Sequence, residues 1–501
     1  MQAAGLQFVT APNGKRSSTH ANQAICQAAL ASVHIPAAQA VLYDPQWRTR
    51  YPQYLRLLTE TAVTCAEQTL TIATNGLAAA WQQVEFIRDG VARPLAEAMH
   101  TRQSASIRSV ELSGSGPTSI EPWSLPYRGQ RLQGEALRVQ IAHWEARGII
   151  EPSCARALQR VIDHPEWLDL SDRTLVLLGA GAEAGPLATL AHWRANIIAI
   201  DIPDPARWHR IAQIISAGNA RLIAPILQSD GNRPPDTEWI QLAGVDMLTH
   251  APEIAAWLQS FQIPLDIATL AYLDGERHLR VALAMDAIFA TVSAALPGVT
   301  LMSMATPTDI FAVSEATAQA ALHNAAAAHP IGPIATPIIR ALSGGQLLQP
   351  HLRELLTSSN GKHYGIVDCL FLEQGPNYAM AKRIQQWRAL IARASGQRVS
   401  INVAPPTMTQ SVIKHPALRA GYNGAGLFQV EIFAPETTGA LMAALWVHDL
   451  HNPDCAAHPA YHLDHPLELL TENANHGGLW RSGFLPRTAL PLAALVGMWR
   501  R

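Results

Sequence analysis

Tyr378 and Lys382 stand four residues apart in GPNYAMAKRIQQWRALIARA, a stretch whose pattern predicts a helix. Residues at i and i+4 share a helix face, so the ammonium is expected beside the phenol, lowering its pKa from about 10. A phenol tuned in that way passes a proton to or from a carbonyl or alcohol oxygen. Ser303, at the end of the apolar run GVTLMSM, is expected to hold the same oxygen by hydrogen bonding. A second constellation lies upstream, where TLVLL runs into GAGAEAGP and then into LATLAHW. Gly179, Gly181 and Gly185 therefore fall at a strand-to-helix turn, where missing side chains let a pyrophosphate approach the backbone and the helix N-terminus. The next apolar run ends in Asp201, 22 positions after Gly179, about where an acid accepts hydrogen bonds from the adenosine ribose. That placement favours NAD(H) and leaves NADP(H) open.

These residues need a scaffold, and the chain supplies a pattern for one. From Arg173 onward TLVLLGA, ANIIAID, RLIAPIL, PLDIATLAY, GVTLMSM, GIVDCLFL and RVSINVAP alternate with helical segments. Such alternation predicts an α/β fold with a parallel sheet covered on both faces. Residues 1–170 are expected to form a mainly helical extension, with apolar positions at helical spacing from Pro52 to His100. Within it, the Ser, Gly and Pro of residues 109–129 predict a linker.

On these segments the chain resembles the short-chain dehydrogenase/reductase family. GAGAEAGPL looks like its cofactor turn, Asp201 like the acid after its second strand, and Asp246-Met247 like the pair that meets adenine. TLAY, containing Ala271, falls where the fourth strand ends, Ser303 where the serine falls, and Tyr378/Lys382 match YxxxK. NVAPPTMTQS resembles the segment after the sixth strand, placing Pro405 and Thr409 on the nicotinamide side. The resemblance covers roughly Arg173 to Leu450 and implies a Rossmann-type doubly wound sheet over residues 171–501. It also implies a hydride moving between nicotinamide and a substrate carbon. Tyr378 would be the acid/base, Lys382 the partner of the nicotinamide ribose, and Ser303 the residue that orients substrate.

Ser303 and Tyr378 are 75 positions apart, so an insertion at about 306–363 is expected, with helical material from Glu315 to Ala328. A lid or specificity element there would suit a bulky or hydrophobic small-molecule substrate. The helix HLRVALAMDAIFATV carries no asparagine for the family's structural position, and Pro405-Pro406 stands where Pro-Gly is usual. Those two differences define the alternative: a nucleotide-binding scaffold or sensor that keeps the fold without the catalysis.

Composition narrows the remaining classes. Lys plus Arg total 37 against 39 Asp plus Glu, which gives no electrostatic reason for a nucleic-acid partner. Five scattered cysteines without CxxC fit reduced thiols, and the N-terminus lacks a secretory pattern, so a cytoplasmic location is expected. No transmembrane segment is expected, because the apolar stretch Leu485 to Trp499 is short and broken by Pro486, Arg487 and Pro491. A homo-oligomer is expected. His448, His451, Cys455, His458, His462 and His465 cluster near the end, but without zinc spacing, and no metal site is expected there.

Overall fold

The computed structural model describes residues 4–11, 14–101, 106–228, 238–352 and 354–499. Its centre is a seven-stranded sheet made of β1 (Ser106–Ser113), β2 (Thr174–Leu178), β3 (Asn196–Ile200), β4 (Arg221–Gln228), β5 (Asp266–Thr269), β6 (Thr300–Ala305) and β7 (Val399–Val403). The order across the sheet is β7-β6-β5-β2-β3-β4-β1. Strands β2 to β7 are parallel, and β1 joins the edge antiparallel to β4.

Both faces are covered, which is why the strands read as unbroken apolar runs. Alternate residues of one strand enter different cores. Val176, Leu178, Ile198 and Ile200 join one, while Leu175, Leu177, Ile197 and Ala199 join the other. The first core is completed by α1 (Glu276–Ala295) and α2 (Gly375–Ala394), the second by α4 (Pro435–His451) together with the helices Gly134–Ala146 and Pro152–Asp163. Two further helices, α3 (Pro416–Gly424) and α5 (Pro486–Trp499), pack on each other near the carboxyl ends of β6 and β7. Helix α1 alone is long and apolar enough to cross a membrane among the described residues, and it is mostly buried inside the protein.

The chain leaves β2 toward β3 and β4, then returns to place β5 on the other side of β2. Crossovers that depart in opposite directions leave a crevice at the carboxyl ends of the two central strands. Here that crevice is narrow at its base. Gly179 has φ +98°, and a Cβ on it would lie 2.5 Å from the backbone nitrogen of Ala271.

Three segments differ from expectation. Within residues 109–129, the stretch to Ser113 belongs to edge strand β1, and Ser124–Tyr127 pairs with Gln130–Gln133 as a hairpin. The edge position explains the misread composition, since β1 is half exposed and its polar residues face water. GIVDCLFL does contain a strand, His363–Asp368, but it pairs with Ile310–Ser314 and Leu355–Thr357 in a small antiparallel sheet within and beside the insertion. A short apolar run signals a buried strand without saying which sheet buries it.

The N-terminal hundred residues are mainly helical, with an added three-stranded antiparallel sheet of Gly5–Phe8, Val84–Arg88 and Val91–Pro94. They belong to the same body as the sheet. Asn22 donates to Asn377 at 2.8 Å, Trp81 donates to Asp286 at 2.6 Å, and a Cβ on Gly76 would lie 2.4 Å from the Trp387 ring. Gly76→Val is therefore expected to overpack this contact and cost roughly 1–3 kcal/mol, read as a lower urea midpoint with an unchanged slope.

Candidate active site

Helix α2 begins with Gly375 at φ +77° and Pro376, a residue pre-organised for a first helical turn. One turn in, it presents Tyr378 and then Lys382 on the same face, with the Lys382 Nζ 5.9 Å from the centre of the Tyr378 ring. The juxtaposition follows the spacing, but the electrostatics do not. Lys382 donates to the Met304 carbonyl at 2.9 Å and to Gln385 Oε1 at 3.1 Å, turning its charge toward the sheet. Burial pushes its pKa down to about 8, with Asp309 opposing the shift. The Tyr378 phenol, expected to be lowered, is held above its ordinary value. Burial is the main cause, repulsion from Tyr422, Tyr272 and Asp309 adds to it, and a hydrogen bond with Thr306 opposes it. Desolvation outweighs a cation that points elsewhere.

Ser303 is not the group at the phenol. It lies within β6, directly opposite Thr269 of β5, and its hydroxyl is 2.6 Å from the Thr269 hydroxyl in a buried pair. Gln385 donates to the Thr269 carbonyl at 3.3 Å and closes this pair off from the α2 side. Thr306, three residues later and just past the strand end, takes the place next to Tyr378.

His278 was missed in the sequence. It is the first residue of HLRVALAMDAIFATV, lies near the start of α1, and stacks on Tyr378 with ring centres 5.3 Å apart and planes 18° apart. Tyr272 meets both rings, at 4.8 Å from His278 and 6.1 Å from Tyr378. The His278 Nδ1 accepts from Leu273 N at 3.5 Å, which assigns the proton to Nε2, and Nε2 has no partner among the described residues. Burial and the Lys382 charge push its pKa down to about 3, so the ring is neutral at physiological pH. Asp286, further along the same helix, pairs with both Arg388 Nε and Nη2 and accepts from Trp81.

The glycine turn is well formed, and much of its shape is explained by protein contacts. Gly181 N donates to Asp201 Oδ2 at 2.7 Å, Ile202 N donates to Oδ1 at 2.9 Å, and Arg207 pairs with Oδ1 at 3.0 Å. Burial raises the Asp201 pKa, while Arg207 and the two backbone donors oppose it. Arg207 Nε is buried without a partner among the described residues. Gly185 lies under α4, because a Cβ on Gly439 would fall 2.4 Å from the Gly185 carbonyl oxygen. The helix after the turn, Leu187–Leu190, is a single turn. Glu183 within the turn accepts from Gln410 N at 2.8 Å, tying it to the segment after β7.

The other expected cofactor residues have structural partners of their own. Asp246 caps the helix Met247–Gln259 by accepting from Leu248 N at 2.8 Å, and Met247 is buried in the apolar core. Ala271 N donates to the Leu178 carbonyl at 2.9 Å, directly below Gly179. The Pro405 carbonyl accepts from Thr407 at 2.8 Å, and the Thr409 hydroxyl is 2.9 Å from that of Ser411.

In the histidine-rich tail, only His448 and Cys455 come together, with Asp449, their ligand atoms within 4.8 Å of one another. Both His448 nitrogens already have partners, Asp449 at 2.9 Å and Asn452 at 3.0 Å. Asp449 Oδ2 accepts from Ser400 and Asn402, so the group works as a hydrogen-bond network between α4 and β7. His451 stacks on Trp167.

The depressed pKa of Lys382 is open to direct measurement. Competitive acetylation followed by mass spectrometry should place its midpoint near pH 8, with the amine reactive above it and protected below. A midpoint at or above about 10 would mean that the ammonium is fully hydrated and that burial is not the controlling influence. No family model and no curated protein sequence matches this chain, so its chemistry is read from the geometry.

Proposed function

We propose that this chain is an NAD(P)-dependent oxidoreductase of the short-chain dehydrogenase/reductase type, built on a Rossmann-type sheet and acting on a carbonyl/alcohol pair. The observation that carries the proposal is the Tyr378–Lys382 pair at the carboxyl end of the sheet, with Thr306 on the phenol and His278 stacked against it. The strand order supports it, because it reverses between β2 and β5, where α/β proteins bind ligands. The residues that would meet a nucleotide's adenosine end are Asp201, beside Gly181, and Arg207, which pairs with the same carboxylate through Nη1 and keeps Nε without a partner among the described residues. The pyrophosphate end has less support, from a one-turn helix and a turn that carries Glu183. Arg207 beside Asp201 brings NADP(H) level with NAD(H) as the cofactor, because an arginine there can pair with a ribose phosphate.

When bound, the nicotinamide would supply or accept the hydride. The chain's own part is the proton. A phenol held above its ordinary pKa is protonated at neutral pH, so Tyr378 carries the proton that a carbonyl oxygen would take. Thr306 orients the phenol, neutral His278 supplies a flat wall with an unspent N–H, and Lys382, turned to the Met304 carbonyl, fastens this face of α2 to the strand end.

Tyr378→Phe is expected to lower carbonyl reduction by about 10²–10⁴-fold. Binding of NADH or NADPH, followed by fluorescence, should be unchanged. Turnover equal to wild type would remove Tyr378 as the proton donor. The second proposal, a nucleotide-binding protein without catalysis, is favoured by the turning of Ser303 into the sheet, and it predicts cofactor binding with no turnover on any carbonyl tested.

A further inference from the structure

Beside the candidate site lies an apolar cleft, partly open to solvent, with a cavity volume of about 50 Å³. Its walls come from three distant parts of the chain. Phe371 precedes α2, Pro406, Tyr422 and Phe428 follow β7, and Leu490 and Ala493 belong to α5. No charged residue lines it among the described residues. Of its two hydroxyls, Ser482 is already engaged with the carbonyl and amide of Phe484, at 3.1 and 3.3 Å. Tyr422 has no hydrogen-bond partner among the described residues and lies near enough to Tyr378 to interact with it electrostatically.

The walls are held apart by backbone contact elsewhere along the same helices. A Cβ on Gly424 would lie 1.8 Å from the Ala493 carbonyl oxygen, and one on Gly497 would lie 2.0 Å from that of Ala420. Helices α3 and α5 thus cannot close further to fill the gap. An uncharged space kept open in this way loses least by taking an apolar guest.

We propose that this cleft binds the hydrocarbon chain of an aliphatic carbonyl or alcohol substrate, with the Tyr422 hydroxyl as the polar contact at the end nearest Tyr378. The location of the reacting end rests on the oxidoreductase proposal, whereas the chain-binding site does not. The chemistry of the walls excludes an acidic or basic group on the buried part of the guest, because no counter-charge awaits it.

The test uses the full-length protein and the neutral probe N-phenyl-1-naphthylamine, displaced by straight-chain alkanols from butanol to dodecanol and read by fluorescence. Affinity is expected to rise about fourfold per added methylene, equivalent to about 0.8 kcal/mol, until the chain outgrows the cleft. Ala493→Phe, or Val430→Phe at another residue that lines the cleft, should weaken alkanol binding at least tenfold. Absence of saturable displacement, affinity independent of chain length, or a folded Ala493→Phe protein that binds as wild type would each overturn the proposal. The wild-type series decides the matter alone if neither wall variant folds. Because no cofactor or turnover enters the measurement, a failure here is separate from a failure of Tyr378 as proton donor.

Discussion

One buried ion pair joins the parts on which the site depends. Arg383 of α2 and Asp309, four residues past the end of β6, meet at 3.1 Å with both side chains almost inaccessible to water. Gln386 donates to the second carboxylate oxygen at 2.8 Å, Ile310 N to the first at 2.7 Å, and Arg383 also reaches Thr59 of an N-terminal helix at 3.4 Å. Sheet, helix and N-terminal region are fastened at a single point. Removing one partner of such a pair leaves an uncompensated buried charge, a loss of about 3–5 kcal/mol. The same carboxylate sustains the Lys382 charge and adds to the repulsion that keeps the Tyr378 phenol protonated.

The site shows burial and charge competing, with burial ahead. Lys382, Tyr378 and His278 each shift in the direction that disfavours their charged form. Tyr378 and His278 are neutral hydrogen-bonding groups at physiological pH, and Lys382 is the cation beside them. Such a pocket is suited to an uncharged oxygen that acquires charge only during reaction, because preorganised donors act more strongly where water is excluded.

What the sequence disclosed follows from how far each signal reaches along the chain. Strands β2 to β7 were legible because a strand buried on both faces must be apolar throughout, and the pairing of Tyr378 with Lys382 followed from a single helical turn. Strand β1 was hidden because an edge strand needs no such purity. Ser303 and Thr306 are three residues apart, and only the position of the strand end decides which one reaches the phenol. His278 is one of several polar residues near the start of an otherwise apolar helix, and nothing in its local spacing sets it apart from Glu276, Arg277 or Arg280. Arg207, Gly439 and the walls of the apolar cleft are brought in from separate elements, and no local pattern announces them.

The docking of Asn22 against Asn377 has a consequence for synthesis. The two residues are 355 positions apart, yet adjacent to the turn that carries Tyr378. At about 5–20 residues per second, a ribosome needs on the order of 20–70 seconds to make the intervening chain. For that interval the faces of the first helices that will meet α2 have no native partner. The early chain must stay unaggregated while its seat is still being made, and the candidate site is complete only with the late arrival of the helix that it cradles.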